Sequence, residues 1–244
     1  MSIPTLSQCL AGNEYPGRGI IMGCNQSGTH GVMAYFIMGR SENSRNRIFL
    51  PEEDGLVTAP YDAAKMTDPS LIIYHPVRMF GAHTVVTNGD QTDTIVDYLR
   101  KGFTFAESLR TRGFEPDAPN YTPRISGLFH YTSKSHYKLS ILKCDHGDPS
   151  APQRFFFEYA CLKPGVGHLI HTYQGNGEPL PSYEGEPKRI SIQGSIDDFT
   201  QEVWSCLHPE NRVSLYVKYV DLSTGAAERR IINRHGDHPK GGQA

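Results

Sequence analysis

Val32-Met33-Ala34-Tyr35-Phe36-Ile37-Met38 is an unbroken apolar run, and Gly39-Arg40-Ser41-Glu42-Asn43-Ser44-Arg45-Asn46-Arg47 follows it directly. Such a run predicts a strand that delivers the polar stretch to a sheet edge. Planar guanidinium groups bind phosphate and carboxylate oxygens through paired hydrogen bonds, and asparagine amides read the edges of polar heterocycles. This mixture favours a small phosphorylated ligand over a nucleic acid duplex. The alternative is a solvated surface turn.

A second block, Tyr15-Pro16-Gly17-Arg18-Gly19, places another arginine between two glycines, where the backbone can approach an anion closely. It is not a dinucleotide fingerprint, because no helix follows it and the third glycine is out of place. The chain also has neither a GxxxxGK[ST] phosphate loop nor a GxSxG elbow. ATP hydrolysis and serine esterase chemistry therefore have no support.

Composition limits the classes of partner. The 244 residues carry a net charge of -2, from 24 Lys+Arg against 26 Asp+Glu, so no broad attraction to nucleic acid or to an anionic membrane is expected. The N-terminus lacks a secretory signal, and no run approaches the ~20 apolar residues of a membrane span. We therefore expect a cytoplasmic protein. Five scattered cysteines without a CxxC pair indicate reduced thiols.

The pattern of the chain predicts one α+β domain over residues 1–234, with helices packed on the outside of sheets, and a disordered tail over 235–244. Helices are expected over 90–101, 104–112 and 195–207, each with a readable cap or stop. The loop 175–187 contains three prolines, and we expect an ordered lid there. Strands are expected over 18–24, 32–38, 71–77, 83–87, 124–131, 137–144, 154–162, 168–174, 211–221 and 228–232.

Two further segments are candidates for a binding site. The stretch 87–93 combines an Asn-Gly turn with a helix start, which presents N–H groups to an anion, although a simple turn and cap is as good an explanation. In the stretch 114–124, three prolines fix a backbone that carries Glu115, Asp117, Asn120 and Arg124, as a preorganised site requires; a purely structural loop is the alternative. No metal site is expected, because His168 and His171 would point to opposite faces of a strand.

Six blocks, taken in order, resemble the archaeal-type IMP cyclohydrolase family. They cover most of residues 15–190 and are Tyr15-Pro16-Gly17-Arg18, Gly39-Arg40-Ser41 with Asn46-Arg47, Tyr74 with Arg78, Asn88-Gly89 with Thr92-Asp93-Thr94-Ile95, Thr122-Pro123-Arg124-Ile125, and Thr172-Tyr173.

The resemblance implies a four-layer αββα sandwich like that of the N-terminal-nucleophile hydrolases, without autoprocessing. It also implies a reaction: 5-formamidoimidazole-4-carboxamide ribonucleotide closes to IMP with loss of water, in de novo purine biosynthesis. Attacking nitrogen and formyl carbon lie in one molecule, so the protein must fold the substrate and manage protons, and no cofactor or metal is expected. A homo-oligomer is the family tendency.

By the same resemblance, catalytic roles fall to Arg47, Tyr74 and Glu115. Arg47 and Tyr74 would donate to the formyl oxygen, and Glu115 would orient the carboxamide and take its proton. The substrate-binding residues would be Arg18, Arg40, Ser41, Asn46, Asn88, Gly89, Asn120 and Arg124, with Arg18, Arg40 and Arg124 on the 5′-phosphate.

Two other functions stay open at this point. One is a purine-nucleotide-binding protein without catalysis, which would use the same arginines. The other is an amide hydrolase of the same fold, with Cys9 or Cys24 as nucleophile.

Overall fold

The computed structural model describes residues 3–69, 71–132 and 134–240. Within these ranges the chain forms five α-helices and thirteen strands, which confirms the α+β class. The helices are α1 (Leu6–Leu10), α2 (Glu42–Arg45), α3 (Gln91–Arg100), α4 (Phe105–Arg110) and α5 (Ile196–Cys206). The strands are β1 (Arg18–Cys24), β2 (His30–Met38), β3 (Arg47–Glu52), β4 (Gly55–Pro60), β5 (Val77–Phe80), β6 (His83–Thr87), β7 (Arg124–His130), β8 (His136–Asp145), β9 (Asp148–Tyr159), β10 (Val166–His171), β11 (Lys188–Ser191), β12 (Arg212–Asp221) and β13 (Ala227–Asn233).

The strands form two antiparallel sheets of different topology. The seven-stranded sheet has the order β3-β4-β5-β6-β7-β8-β9, so each strand pairs with its neighbour in sequence. The six-stranded sheet has the order β11-β10-β1-β2-β12-β13 and joins strands from both ends of the chain. The meander is therefore inserted between β2 and β10, and β1 and β2 lie at the centre of the six-stranded sheet.

Three apolar cores lie between successive layers. One core joins the facing sides of the two sheets. A second joins the outer face of the six-stranded sheet to α1 and α5, and a third joins the seven-stranded sheet to α3 and α4. In β2, Tyr35 belongs to the core between the sheets and Phe36 to the core under the helices. Both faces of β2 are buried, which explains why its apolar run has no polar interruption.

The ends of the predicted helices are fixed by their own side chains. Ser195 caps α5 by accepting from the Asp198 amide, and the Asp198 carboxylate accepts from the Ser195 amide. Thr104 and Glu107 form the same reciprocal arrangement at the start of α4. Such caps satisfy amides that the first helical turn leaves unpaired. The predicted helices at α3, α4 and α5 are confirmed within two residues at each end.

The strand predicted over 71–77 is wrong. This segment is irregular up to Val77, where β5 begins. Some backbone groups of this segment bond to a side chain instead of a neighbouring strand. The Thr58 hydroxyl on β4 donates to the Ile72 carbonyl (2.9 Å) and accepts from the Tyr74 amide (2.8 Å). The helices α1 and α2 and the strands β3, β4 and β11 were not predicted. They are short and polar or contain proline, so their formation depends on neighbours in the fold.

Residues 235–240, part of the predicted tail, contact the segment that follows β4. The His235 ring stacks on Tyr61 with centroids 4.6 Å apart, and the Lys240 ammonium lies 2.9 Å from the Asp62 carboxylate. Residues 241–244 lie outside the described residues. The domain boundary at 234 stays a prediction.

Candidate active site

Three arginines come together at one end of the β1–β2 pair. Arg18 is the first residue of β1 and lies opposite Ile37 of β2. Arg40 follows the end of β2, and Arg47 begins β3. A cavity of about 260 Å³ opens there, called the arginine cavity below. It is lined by Tyr15, Arg18, Arg40, Ser41, Ser44, Arg47, Asp117, Asn120, Thr122, Tyr173 and Leu180.

The short helix α2 returns the chain so that Arg47 points back toward β2. Ser41 caps this helix by accepting from the Ser44 amide. Gly39 makes the tight turn possible, because a Cβ at this position would lie 2.7 Å from the Ser44 carbonyl carbon. The Arg47 guanidinium then donates to the Ser44 carbonyl (2.8 Å) and to the Met38 carbonyl (3.3 Å). The turn between β2 and β3 thus fixes the side chain in place.

Arg18 and Arg47 both carry buried nitrogens without a partner. Arg47 is fully buried, and its Nη1 atom has no hydrogen-bond partner among the described residues. Arg18 is 8% exposed as a residue, and its Nε atom is buried and also has no hydrogen-bond partner among the described residues. Burial lowers the pKa of Arg47, and the nearby charge of Arg18 lowers it further. An arginine remains protonated under these conditions, so these unsatisfied donors indicate a site for an anion or a carbonyl oxygen.

Two tyrosines form the wall beside Arg40. The Tyr15 and Tyr173 rings stack with centroids 5.8 Å apart, and the Arg40 guanidinium carbon lies 5.2 Å from the centre of the Tyr15 ring. The Thr122 hydroxyl donates to the Asp117 carboxylate. Since Thr122 has one hydroxyl proton, it accepts from the Tyr173 hydroxyl at 2.5 Å. The lone pairs of the Tyr173 oxygen are therefore free to accept a hydrogen bond from a ligand.

Glu115 and Tyr74 lie close to the two unsatisfied arginines, although neither is among the residues that line the cavity. Glu115 is 2% exposed, and burial raises its pKa to about 7 against the lowering effects of Arg18, Arg124 and Arg47. The Tyr74 hydroxyl lies 2.8 Å from the Tyr35 hydroxyl, and Tyr74 also interacts electrostatically with Arg18 and Arg47. The three predicted catalytic residues thus belong to one electrostatic cluster.

Arg124, Asn88 and Gly89 form a second group at the start of α3, and Arg124 interacts electrostatically with Glu115. Arg124 Nη1 donates to the Asp90 carboxylate and to the Gln91 side-chain oxygen, both at 2.6 Å. The Asn88 amide group donates to the Pro123 carbonyl (2.9 Å), and its oxygen accepts from the Ile125 amide (2.8 Å). A Cβ at Gly89 would lie 2.6 Å from Arg124 Nη1, which explains the glycine. The Nη1 atom of Arg124 and the side-chain amide of Asn88 therefore have partners within the protein.

The two remaining predicted asparagines have different surroundings. Asn46 lies outside the arginine cavity, where its side chain exchanges two hydrogen bonds of 2.8 Å with the Asp62 backbone. Asn120 lines the cavity and accepts from the Leu180 amide at 3.0 Å. Of the eight predicted binding residues, Arg18, Arg40, Ser41 and Asn120 line the cavity, and Asn46, Asn88, Gly89 and Arg124 do not.

The loop 175–187, predicted as a lid, contributes Leu180 to the lining of the arginine cavity. The Arg40 guanidinium donates to the Asn176 side-chain oxygen (2.8 Å) and to the Gly177 carbonyl (3.0 Å). Leu180 lines both this cavity and a neighbouring one of about 470 Å³. Leu180 therefore belongs to both cavities, and two hydrogen bonds join Arg40 to the loop.

Tyr15, Ser44, Thr122 and Tyr173 were not predicted as site residues, and Asp117 was predicted only as a polar group of the stretch 114–124. Tyr15, Thr122 and Tyr173 stand in the blocks that carried the resemblance, and Asp117 lies in the proline-rich stretch. These segments were therefore already identified in the sequence, although the individual residues were not. Their direct role depended on contacts between segments far apart in sequence, such as that of Thr122 with Tyr173.

Neither Cys9 nor Cys24, the two thiols considered as nucleophiles, has the lowered pKa of an activated thiol. Burial raises the pKa of Cys9 and of Cys24, whereas a nucleophilic thiol needs a lowered pKa. Over residues 3–69, 71–132 and 134–240, no cluster of three histidine, cysteine or carboxylate side chains suited to a metal ion is found. The helices of the same ranges include none with the length and apolarity needed to span a membrane.

Comparisons with known proteins agree on one family. The model of the family described as IMP cyclohydrolase-like protein matches residues 15–225. The IMP cyclohydrolase of Methanopyrus kandleri is 30% identical over 171 residues, which are 69% of this chain and 79% of that protein. The IMP cyclohydrolase of Haloquadratum walsbyi is 30% identical over 78% of this chain and 83% of its own length. That of Methanosphaera stadtmanae is 24% identical over 79% of this chain and 92% of its own length.

Proposed function

The chain belongs to the family of IMP cyclohydrolase-like proteins, and from this membership we propose that the arginine cavity closes 5-formamidoimidazole-4-carboxamide ribonucleotide to IMP. The carboxamide nitrogen attacks the formyl carbon and forms the new C–N bond. The formyl oxygen leaves as water with one proton from the carboxamide nitrogen and one from the formamide nitrogen. The observation that carries the proposal is the pair of buried, unsatisfied guanidinium nitrogens on Arg18 and Arg47.

The burial of the residues in and beside the arginine cavity supports one orientation of the nucleotide. Arg47 and Glu115 are almost completely buried, whereas Arg40 is partly exposed and Ser41 is exposed. A phosphate dianion is strongly hydrated and loses least solvation near the surface, and uncharged reacting groups tolerate the deeper position. We therefore place the phosphate at Arg40 and Ser41 and the reacting groups beside Arg47.

Arg47 and Tyr74 supply the hydrogen bonds to the formyl oxygen. This oxygen gains negative charge as the weakly nucleophilic carboxamide nitrogen attacks, so fixed donors stabilise the transition state more than the substrate. Nη1 of Arg47 is already desolvated and needs no reorganisation to donate. Tyr74, hydrogen-bonded to Tyr35, gives the second donor.

Glu115 manages the protons. With a pKa of about 7, its carboxyl group exists in both protonation states near neutral pH. It can accept a proton from the carboxamide nitrogen and return it to the departing oxygen, which is the property required of a general acid–base group. Arg18, which interacts with Glu115, completes the charge balance of the deep site. Arg124 and Asn88 support this site from behind rather than contacting the phosphate.

The layer order of helices, sheet, sheet and helices supports the proposal of an αββα sandwich like that of the N-terminal-nucleophile hydrolases, without autoprocessing. In this proposal residues 1–234 act as one domain and the enzyme works in the cytoplasm on a small purine ribonucleotide.

A direct assay tests the activity. Purified protein, given the formylated ribonucleotide in the presence of a chelator, is expected to form IMP, detected by absorbance and chromatography. Glu115→Gln should abolish most of this rate, and Glu53→Gln, at an exposed turn between β3 and β4, serves as the control. If the protein binds IMP in calorimetry and leaves the precursor unchanged, it is a nucleotide-binding protein without catalysis.

A further inference from the structure

The last strand of the seven-stranded sheet presents a long free edge. β9 (Asp148–Tyr159) has 12 residues and pairs with β8 on one side. Within the described part of the chain no strand pairs with its other side. The backbone groups of a free edge are a template for another strand, and natural proteins usually block such edges with proline, lysine, a bulge or a short strand.

The blocking features of β9 are confined to its first half. Pro149 and Pro152 lie there, and the pairing with β8 shifts register at Cys144/Asp145. The second half reads Arg154-Phe155-Phe156-Phe157-Glu158-Tyr159, without proline or lysine. Phe155 is 41% exposed, one of two large apolar side chains with such exposure in the described residues. This half is therefore open to pairing and has apolar surface to cover.

We propose that two copies of this chain associate through β9, with antiparallel pairing centred on Phe156. In this register Phe156 faces Phe156 of the partner subunit, and Phe155 faces Phe157 of the partner subunit. Arg154 then faces Glu158 of the partner subunit, and the two-fold symmetry repeats this pair. Directly opposed residues of antiparallel strands lie about 4.5–5.5 Å apart, close enough for opposite charges to attract and for aromatic rings to pack.

The charges select this register. If the symmetry axis passed through Phe155, Arg154 would face Phe156 of the partner subunit. An axis through Phe157 would place Glu158 opposite the same aromatic residue. The register centred on Phe156 joins every charge of the segment to an opposite charge, as the self-complementary patch of a two-fold interface requires.

The present contacts of the two charged side chains are compatible with the interface. Arg154 donates to the Arg112 carbonyl at 2.9 Å, and Glu158 accepts from Lys138 at 2.9 Å. A carboxylate accepts more than one hydrogen bond, and a guanidinium has five donors, so each retains capacity for the partner. The side chain of Glu158 is 61% exposed, which leaves it accessible.

Charge reversal tests the pairing. In light scattering after gel filtration, the native protein is expected at twice the 27.2 kDa mass of the chain or a higher even multiple. Glu158→Arg and Arg154→Glu should each lower the mass to half, because like charges then oppose each other twice. The double reversal Arg154→Glu/Glu158→Arg should restore the native mass. Glu228→Arg, on the edge strand β13, is the matched control and should leave the mass unchanged.

A cysteine scan tests the register independently. Phe156→Cys should form an intersubunit disulfide under mild oxidation, since opposed positions fall within the Cα distances that disulfides accept. Gln153→Cys should not, because its copies would lie about 20 Å apart at ~3.4 Å per residue. A monomeric native protein, an unchanged mass after single charge reversal, or equal cross-linking of both cysteine variants would overturn the proposal.

Discussion

The arginines of the deep site and the arginine at the start of α3 are both buried, but they differ in what surrounds their charge. Arg124 is 6% exposed, and its Nη1 donates to Asp90 and Gln91. Arg47 is fully buried and donates to two backbone carbonyls, whereas its Nη1 atom has no hydrogen-bond partner among the described residues. A buried donor without a partner costs about 1–3 kcal/mol, more when it is charged, so such an atom is retained where a ligand satisfies it.

The comparison separates an arginine that stabilises the fold from arginines that are available to a ligand. Arg124 has its counterion inside the protein and fixes α3 to β7. Arg18 and Arg47 lack ion pairs among the described residues, and the group that opposes them, Glu115, is itself destabilised in its charged form. A functional site of this kind lowers the free energy of unfolding in favour of activity. The difference between the two groups can therefore be measured in both quantities.

The largest effect is expected from Glu115→Gln. Turnover should fall about 10³-fold, because the proposed proton acceptor is lost. In the native enzyme kcat/KM should rise with pH up to about 7 as Glu115 ionises, and the variant should lack this rise. The measurement is a pH profile of steady-state rates.

The same substitution should stabilise the fold. The folded-state pKa of Glu115 is raised, so the folded protein binds more protons than the unfolded chain between about pH 4.5 and 7, and native stability falls over that range. Glutamine removes this loss, and the gain above pH 7 should be about 3 kcal/mol. A variant that is both inactive and less stable at pH 8 would contradict the assigned role.

A matched pair of substitutions tests the difference between the two groups directly. Arg47→Lys keeps the charge but loses the planar donor that we propose for the formyl oxygen, so kcat should fall about 10²–10³-fold. Arg124→Lys keeps an ion pair with Asp90, and kcat should stay within about threefold. Equal losses in the two variants, measured under saturating substrate, would show that the internal partners of Arg124 do not distinguish it from Arg47.

Much of the fold could be predicted because its signals are local. The bounds of β1 follow from its apolar composition, and α5 begins at Ser195, whose cap is visible as a serine before an amphipathic stretch. The segment 71–77 failed for the opposite reason. Its apolar residues are held as a loop by Thr58, a contact that no pattern within the segment reveals.

The candidate site shows the same limit. Sequence indicates which side chains can bind an anion, but not which of them already have partners. The sequence predicts that Asn88 can bind a ligand. In the structure its side chain donates to Pro123 and accepts from Ile125, more than thirty positions away. Conversely, Arg47 stands in a polar stretch that reads as exposed, and its complete burial results from the turn through α2.

A further buried cation extends the comparison, because it lies away from the arginine cavity. Lys218 on β12 is 3% exposed, and its ammonium contacts the Thr84 hydroxyl at 3.0 Å. Burial lowers its pKa to about 8. Because no substrate role is assigned to it, Lys218→Met should stabilise the fold at pH 7 by about 1–3 kcal/mol and leave kcat unchanged.

The sign of the pH dependence provides the check. Between about pH 8 and 10.4 the unfolded chain binds more protons at Lys218 than the folded protein, so native stability should rise with pH in that window. Urea unfolding at pH 7 and pH 10 should show a smaller rise in Lys218→Met than in the control Lys138→Met, an exchange in a surface ion pair with Glu158. An equal rise in both would mean that Lys218 is not the titrating group.

The smallest effect is expected at Thr122, which sets the direction of the Tyr173 hydroxyl without carrying charge. In Thr122→Val the tyrosine loses its acceptor and can turn its proton toward the cavity, so a ligand donor meets another donor. KM and the dissociation constant of IMP should rise about fivefold, near 1 kcal/mol, with kcat little changed. Thr122→Ser keeps the hydroxyl and should restore both constants, whereas a purely packing role would be preserved by the isosteric valine and disturbed by the smaller serine. Calorimetry with IMP therefore decides whether the Thr122–Tyr173 hydrogen bond contributes to ligand binding, as we propose for Arg18 and Arg47, or only to the structure, as at the start of α3.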